Sequence, residues 1–201
     1  MRVFFITLFV FSSILCHGQH QHEVPNEAKT LYKIAHDDYA PTASTSDRMS
    51  EVIKLLDKAI AIDSQYYEAW AAKLGYQCQL HWFELAIATT ADITRIFPHE
   101  TSLLFFKGIL QFRMDHEVAA TSTFRNLLER YDTMPEPPAG SSEQKTYLIN
   151  KGLTIRMLGG VVDGNKILET LAANEPDAAE KKYILAYIKA SREEIVKMMT
   201  P

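Results

Sequence analysis

The chain has 201 residues, 47% of them hydrophobic and 23% charged, with a formal net charge of −4, the profile of an ordinary globular protein whose default is one domain. Eight glycines and eight prolines are too few for a collagen-like or low-complexity chain. With 21 basic against 25 acidic side chains and no basic tract, the positive footprint that a phosphate backbone requires is missing, so nucleic acid is not an expected partner.

At the amino end, Phe4 to Leu15 is almost entirely apolar and follows Arg2. Such a run fits the ~7–15 residues of a signal-peptide core and falls short of the ~20 that span a bilayer. Cys16 and Gly18, small residues placed at −3 and −1, point to cleavage before Gln19. Residues 1–18 are therefore expected to be a signal peptide and 19–25 a polar tail, giving a periplasmic or secreted protein with no transmembrane segment once the leader is removed. The competing reading is lipidation at Cys16, but Leu15 is bulky where that motif wants Gly or Ala. Cleavage moves the net charge from −4 to −5 and leaves Cys78 as the sole cysteine, so no intramolecular disulfide is expected although the compartment would permit one. His17, His20 and His22 flank the cleavage site and could bind copper, nickel or zinc weakly through neutral nitrogen donors. With His17 removed, the remaining pair reads as a polar tether rather than a metal site.

Beyond the tail, apolar residues recur at three- and four-residue spacing with no sustained alternation, which predicts an all-α protein. Nine helices are expected, near 26–40, 48–63, 66–81, 84–96, 100–114, 117–131, 144–158, 164–174 and 178–198, with turns at Asp63, Pro98, Asp115 and Pro176 and a loop from Pro41 to Asp47. The segment 177–201 reads as an amphipathic capping helix with Ile184, Ile188, Ile195 and Met199 on one stripe, the kind of helix that keeps the end of a repeat stack soluble.

A period of 34 runs through residues 26–176. Trp70, Ala86 and Pro98 become Leu104, Ala120 and Asp132 on a shift of 34, and Leu148, Gly164 and Pro176 when a ten-residue insertion at 134–143 is allowed for. That insertion, MPEPPAGSSE, carries three prolines and a glycine and cannot continue a helix. Two copies also share Leu-x-x-Lys-Gly, at Leu104 to Gly108 and Leu148 to Gly152. A glycine inside a helix costs about 1 kcal/mol against alanine, so it needs a packing reason. Gly108 is expected to face Ala120, and Gly152 to face Gly164, where two helices of a hairpin cross closely. In the earlier copy Leu74 replaces the glycine, which predicts a wider crossing.

These residues resemble the tetratricopeptide repeat, a 34-residue helix-turn-helix with a large residue, a glycine, a small residue, an aromatic and a closing proline at these spacings. Trp70, Ala86 and Pro98 match in one copy, Gly108, Ala120 and Phe124 in the next, Gly152, Gly164 and Pro176 in the third, and a weaker copy with Ala59 and Ser64 precedes them. Lys73, Lys107, Lys151 and Thr90 depart from the family pattern, so the repeats are degenerate. The resemblance implies a solenoid of about four hairpins, closed here by the C-terminal helix. A leader followed by degenerate repeats also resembles envelope proteins of Gram-negative bacteria.

Catalytic signatures are absent: no G-x-G-x-x-G, Walker loop, G-x-S-x-G elbow or paired C-x-x-C. His116-Glu117 and His99-Glu100 begin like a zinc-protease helix, but Ala120 and Leu103 stand where the second histidine belongs, so no catalytic residue, metal or cofactor is expected. The resemblance implies a concave surface lined by the first helix of each hairpin, which the family uses to hold peptides or protein segments. The corresponding positions are Phe105, Ile109, Phe112 and Arg113, then Ile149, Asn150, Leu153 and Arg156. The expected role is an exported, non-enzymatic scaffold for a protein or peptide partner. Its rivals are a divergent envelope enzyme built around His81-Trp82 or His116, and a carrier holding a small apolar ligand in the Phe-rich groove.

Overall fold

The computed structural model describes residues 22–39 and 46–200. The expected signal peptide, its cleavage site, Cys16, most of the 41–47 loop and the first part of the polar tail lie outside them. Every regular element among the described residues is helical: α1 Asn26–Lys33, α2 Ser46–Ile62, α3 Tyr67–Gln79, α4 Phe83–Ile96, α5 Thr101–Arg113, α6 Glu117–Thr133, α7 Ser142–Met157, α8 Val161–Asn174, α9 Ala178–Lys189 and α10 Arg192–Met199. None is long and apolar enough to cross a membrane. The chain divides into two compact units, one ending at Pro98 and the other running from His99 to Thr200.

In the first unit α1 packs on α2, α2 on α3, and α3 on α4. The helix expected over 26–40 widens after Lys33 into a π-helical stretch, Ile34–Tyr39. α2 begins at Ser46, two residues inside the expected loop, and buries Val52, Ile53, Leu56, Ala59 and Ile60 at helical spacing. The tail is partly tied down, since Nε2 of His22 lies 2.8 Å from Oδ2 of the buried Asp63, the residue that closes α2. Trp70 is nearly enclosed and donates its indole N–H to the Ser64 carbonyl at 2.9 Å.

The second unit is organised by α5, in which Leu103, Leu104, Phe105, Phe106, Ile109 and Leu110 are all buried. Side chains buried round the whole circumference mark a central helix, and α5 packs against α6, α7 and α10. α7 pairs with α8, and α9 packs on α8. The prolines of the insertion hold residues 134–141 out of helix. Ser141 then caps α7 by accepting the Gln144 amide at 3.0 Å, so α7 starts two residues earlier than expected.

The 34-residue period is visible in atomic detail at three turns. His81 and Asp115 have φ of 56° and 59°, and Gly159 has φ of 94°. These left-handed residues occupy the same repeat position. The following amide reaches back to the helix each time: Trp82 N–H donates to the Gln77 carbonyl at 2.8 Å, His116 N–H to Gln111 at 2.8 Å, and Gly160 N–H to Ile155 at 2.9 Å. This is the Schellman closure of a helix C-terminus. It satisfies carbonyls that would otherwise be orphaned and starts the return helix at one fixed place.

The small residues at the crossings have a definite purpose, although one partner differs from the expected one. A Cβ on Gly108 would stand 2.6 Å from Cε1 of Phe124, so the ring of Phe124, rather than Ala120, covers this glycine. Gly152 and Gly164 do face one another: a Cβ on Gly164 would come within 2.5 Å of the Gly152 carbonyl oxygen. In the first unit the equivalent residues are Leu74 and Thr90, both fully buried. A large residue stands where the other copies have glycine, and a small one where they have Phe124 and Leu168. The exchange conserves volume, which cores tolerate best, and it accounts for both departures from the repeat pattern.

A second recurrence went unread in the sequence. Gln111 and Thr123 are half-buried to buried partners, the Thr hydroxyl donating to Oε1 of Gln111 at 2.7 Å; Gln77 and Thr89 stand at the same places in the preceding copy and are both buried, and Ile155 and Ile167 in the following one. Replacing both members of a polar pair by apolar groups is close to neutral.

The C-terminal segment departs most from expectation. The single helix expected over 178–198 breaks at Ala190 and Ser191, both in extended conformation. Ser191 accepts the Glu194 amide while Glu194 accepts the Ser191 amide, a complete capping box that starts α10 afresh. The S-x-x-E signature was present in the sequence.

The turn geometry predicts opposite effects at equivalent sites. Asp115→Gly removes the strain of a left-handed non-glycine residue and is expected to stabilise by about 0.5–1 kcal/mol, whereas Gly159→Ala introduces it and destabilises by about 1–2 kcal/mol. Thermal melts followed by circular dichroism separate them by several degrees, and equal melting of the two variants would contradict the geometry. Gly108→Leu and Gly152→Leu are expected to overpack their crossings and cost roughly 1–3 kcal/mol each, read from the same melts.

Candidate functional site

α5 and α7 carry the eight residues expected to line a partner site, and a stretch of polypeptide already lies against two of them. Phe112, near the end of α5, is half-exposed and has the guanidinium of Arg192 over its ring, 4.7 Å from the centroid. Arg156 occupies the equivalent position at the end of α7 and is 4% exposed. Its Nη1 donates to the Ile188 carbonyl at 2.8 Å, and the same guanidinium reaches the Ala190 carbonyl and the side chain of Asn165 on α8. The segment so held is the chain's own link between α9 and α10. Beyond it, α10 packs against α5 and buries Ile195, Val196 and Met199.

Burial lowers the pKa of Arg156 from its ordinary value, but a guanidinium titrates so high that it stays charged at any working pH. Two backbone carbonyls and the Asn165 side chain accept from its Nη groups, while Nε is buried without a partner. A fork of N–H donors aimed at main-chain oxygens reads the path of a polypeptide and not its sequence. Arg192 over Phe112 is a cation–π contact worth about 0.5–2 kcal/mol depending on its exposure to water.

The other expected lining residues are divided between core and surface. Phe105, Ile109 and Leu153 are buried, Ile109 and Leu153 completely. Phe105 sits 5.9 Å from the Phe124 ring centroid, so it joins the core between α5 and α6 and is not a surface anchor. Asn150 is buried and donates to the Ser102 hydroxyl at 3.2 Å, tying α7 to α5. Ile149 is half-exposed and Arg113 exposed. Phe112 and Arg156 are thus the two members of the set that hold polypeptide.

Sequence reasoning missed the cluster that fastens α9. Lys145 at the start of α7 bridges Glu175, at 2.7 Å, and Glu180. Glu175 is the residue after α8; its side chain is 2% exposed and also accepts the Asp177 amide at 3.0 Å. The hydrogen bond from Lys145, and secondarily that amide, hold the Glu175 carboxyl below the usual carboxylate range. Beside the cluster a cavity of about 690 Å³ lies between the 134–141 loop and α7 and α8, with Leu148, Ile167 and Leu171 among its lining. It is separate from the phenylalanines, which pack on one another.

Residues considered for catalysis are scattered. His81 and His116 are exposed and stand at equivalent hairpin turns, and His81 lies edge-on to Phe83. Cys78 is fully buried, and burial pushes its thiol up to about 12, far from the thiolate a nucleophile needs. Among the described residues no group of three His, Cys, Asp or Glu side chains is placed to hold a metal ion. Comparison with protein-family models, curated proteins and solved structures finds no match for the chain.

The Glu175 cluster predicts a pH dependence of known sign. A carboxyl whose folded pKa is depressed contributes its full stability above the unfolded value of about 4.3 and loses it as pH falls through the folded value. Glu175→Gln is therefore expected to melt below wild type at neutral pH, and the gap is expected to close on acidification below the carboxylate range. A gap that persists unchanged at low pH would show that the charge of Glu175 contributes nothing.

Proposed function

We propose that the chain is a tetratricopeptide-like hairpin protein, exported behind a signal peptide at residues 1–18, that acts without catalysis by holding a protein or peptide segment on the α5–α7 face. One observation carries this reading: Phe112 and Arg156 grip main chain and a cationic side chain of a short polypeptide segment lying across that face. An aromatic ring beside an arginine, partly enclosed by apolar neighbours, is the residue chemistry that anchors interfaces. The three equivalent turns and the Gly152–Gly164 crossing support a repeat of helical hairpins as its scaffold.

The rival readings have less support. Of the two phenylalanines that would line an apolar carrier groove, Phe105 packs as core and Phe112 lies under the Arg192 guanidinium, and His81 and His116 sit at exposed turns of separate hairpins.

A display selection of random peptides on the purified chain and on its Arg192→Ala variant tests the reading, with Phe112→Ala as the counter-screen. Enriched peptides are expected to bind Phe112→Ala about tenfold more weakly, the ~1.4 kcal/mol scale of an interface aromatic. Peptides that bind Phe112→Ala as well as wild type, or no enrichment on either target, would overturn it.

A further inference from the structure

The proline-rich insertion changes what becomes of the apolar positions beside it. Leu148 stands where the two preceding copies have Trp70 and Leu104, both buried, and Leu171 where they have Ile93 and Leu127, both fully buried. Leu148 and Leu171 are instead half-exposed, and so is Ile167, one turn before Leu171 on α8. All three line the cavity of about 690 Å³ that the 134–141 loop walls off against α7 and α8, a volume within the ~300–1,000 Å³ of small-molecule sites. Gln144 fixes that wall: its Oε1 accepts the Gly140 amide and its Nε2 donates to Oε1 of Glu136, both at 2.7 Å, while its own amide donates to the Ser141 hydroxyl at 3.0 Å. Large apolar side chains that the other copies enclose are thus gathered in one preformed recess, where covering them is favourable.

The lining also sets the chemistry of what would cover them. Its charged side chains are two lysines, Lys145 and Lys166, and two glutamates, Glu136 and Glu175, which balance and so favour neither an anion nor a cation. Its uncharged polar groups offer both halves of a hydrogen bond. Thr170 and Asn174 each spend a donor on a main-chain carbonyl, at 2.8 and 2.9 Å, and keep their side-chain oxygens as acceptors; Ser141 accepts the Gln144 amide and keeps its hydroxyl proton to donate. We propose that this cavity is a binding site for a small uncharged ligand with an apolar body and a hydroxyl head, the body lying on Leu148, Ile167 and Leu171 and the head at Ser141, Thr170 and Asn174. None of the eight residues on which the polypeptide-holding reading draws lies on this lining, so the site is a second one and stands independently of that reading.

The probes are hexanol, octanol, octanoate and octylammonium, titrated against the full-length chain and its Leu171→Trp and Thr170→Trp variants, with binding followed by backbone amide chemical shifts. Neither Leu171 nor Thr170 is buried, so both variants are expected to melt with wild type while their indoles fill the recess. Octanol is expected to shift amides of the 134–141 loop, the start of α7 and the end of α8, and to bind about tenfold more tightly than hexanol, the scale of two further buried methylenes. Octanoate and octylammonium are expected to bind several-fold more weakly than octanol, and each Trp variant to lose about tenfold or more in octanol affinity. Shifts centred elsewhere, undiminished binding in both Trp variants, or no binding of octanol up to its solubility would overturn the site. Octanoate or octylammonium binding as tightly as octanol would overturn the ligand class.

Discussion

The turn that closes three of the hairpins, at His81, Asp115 and Gly159, is the constraint from which much of the described structure follows. A single left-handed residue lets the next amide bond back across six residues to the helix it has just left, and this fixes both where the first helix stops and where the second starts. The antiparallel partner is then delivered to the same crossing point in these three copies. Close crossing follows only where volume allows it, which is why Gly108 lies under Phe124 and Gly152 meets Gly164, while Leu74 is matched by the smaller Thr90. Two of the three left-handed residues are Asp115 and His81 rather than glycine. The strain they carry is of the order of a kilocalorie per mole, small against the carbonyls that the turn satisfies.

The same geometry packs α5 against α7 and places Phe112 and Arg156 at the equivalent position near the end of each. A buried guanidinium requires acceptors, and main-chain carbonyls at a helix break are acceptors without a helical partner. The Ile188 and Ala190 carbonyls meet that need, so the break between α9 and α10 and the burial of Arg156 sustain each other. The Lys145–Glu175–Glu180 cluster holds the start of α9 in place, which aims the break at Arg156. α10 packs on α5, far from it in the chain.

Much of this architecture was legible in the sequence, and the parts that were not share a cause. The hairpin boundaries at Asp63, Pro98, Asp115 and Pro176 could be read because capping, proline and the apolar period act over a few residues. α2, α7 and α8 start two to three residues early; Ser141 caps α7 ahead of its first apolar residue, and the Gly159-Gly160 turn opens α8 directly at Val161. The break at Ser191 was written as a capping box and was overridden by an apolar stripe that ran straight through it. The lining residues were identified as one set, but burial sorted them: Phe105, Ile109 and Leu153 went to the core, and Phe112 and Arg156 to the polypeptide lying on the face.

Sequence alone determined that the described chain is helical, that its hairpins repeat on a 34-residue beat broken by a proline-rich insertion, and that glycine marks two crossings, because each of these is set by interactions among residues close in the chain. Which ring covers Gly108, which residues of the α5–α7 face remain accessible, and what lies upon that face were decided only by the tertiary structure. Those contacts join residues tens of positions apart, where burial depends on the volume and hydrogen-bonding needs of every neighbour at once, and no local pattern carries that information.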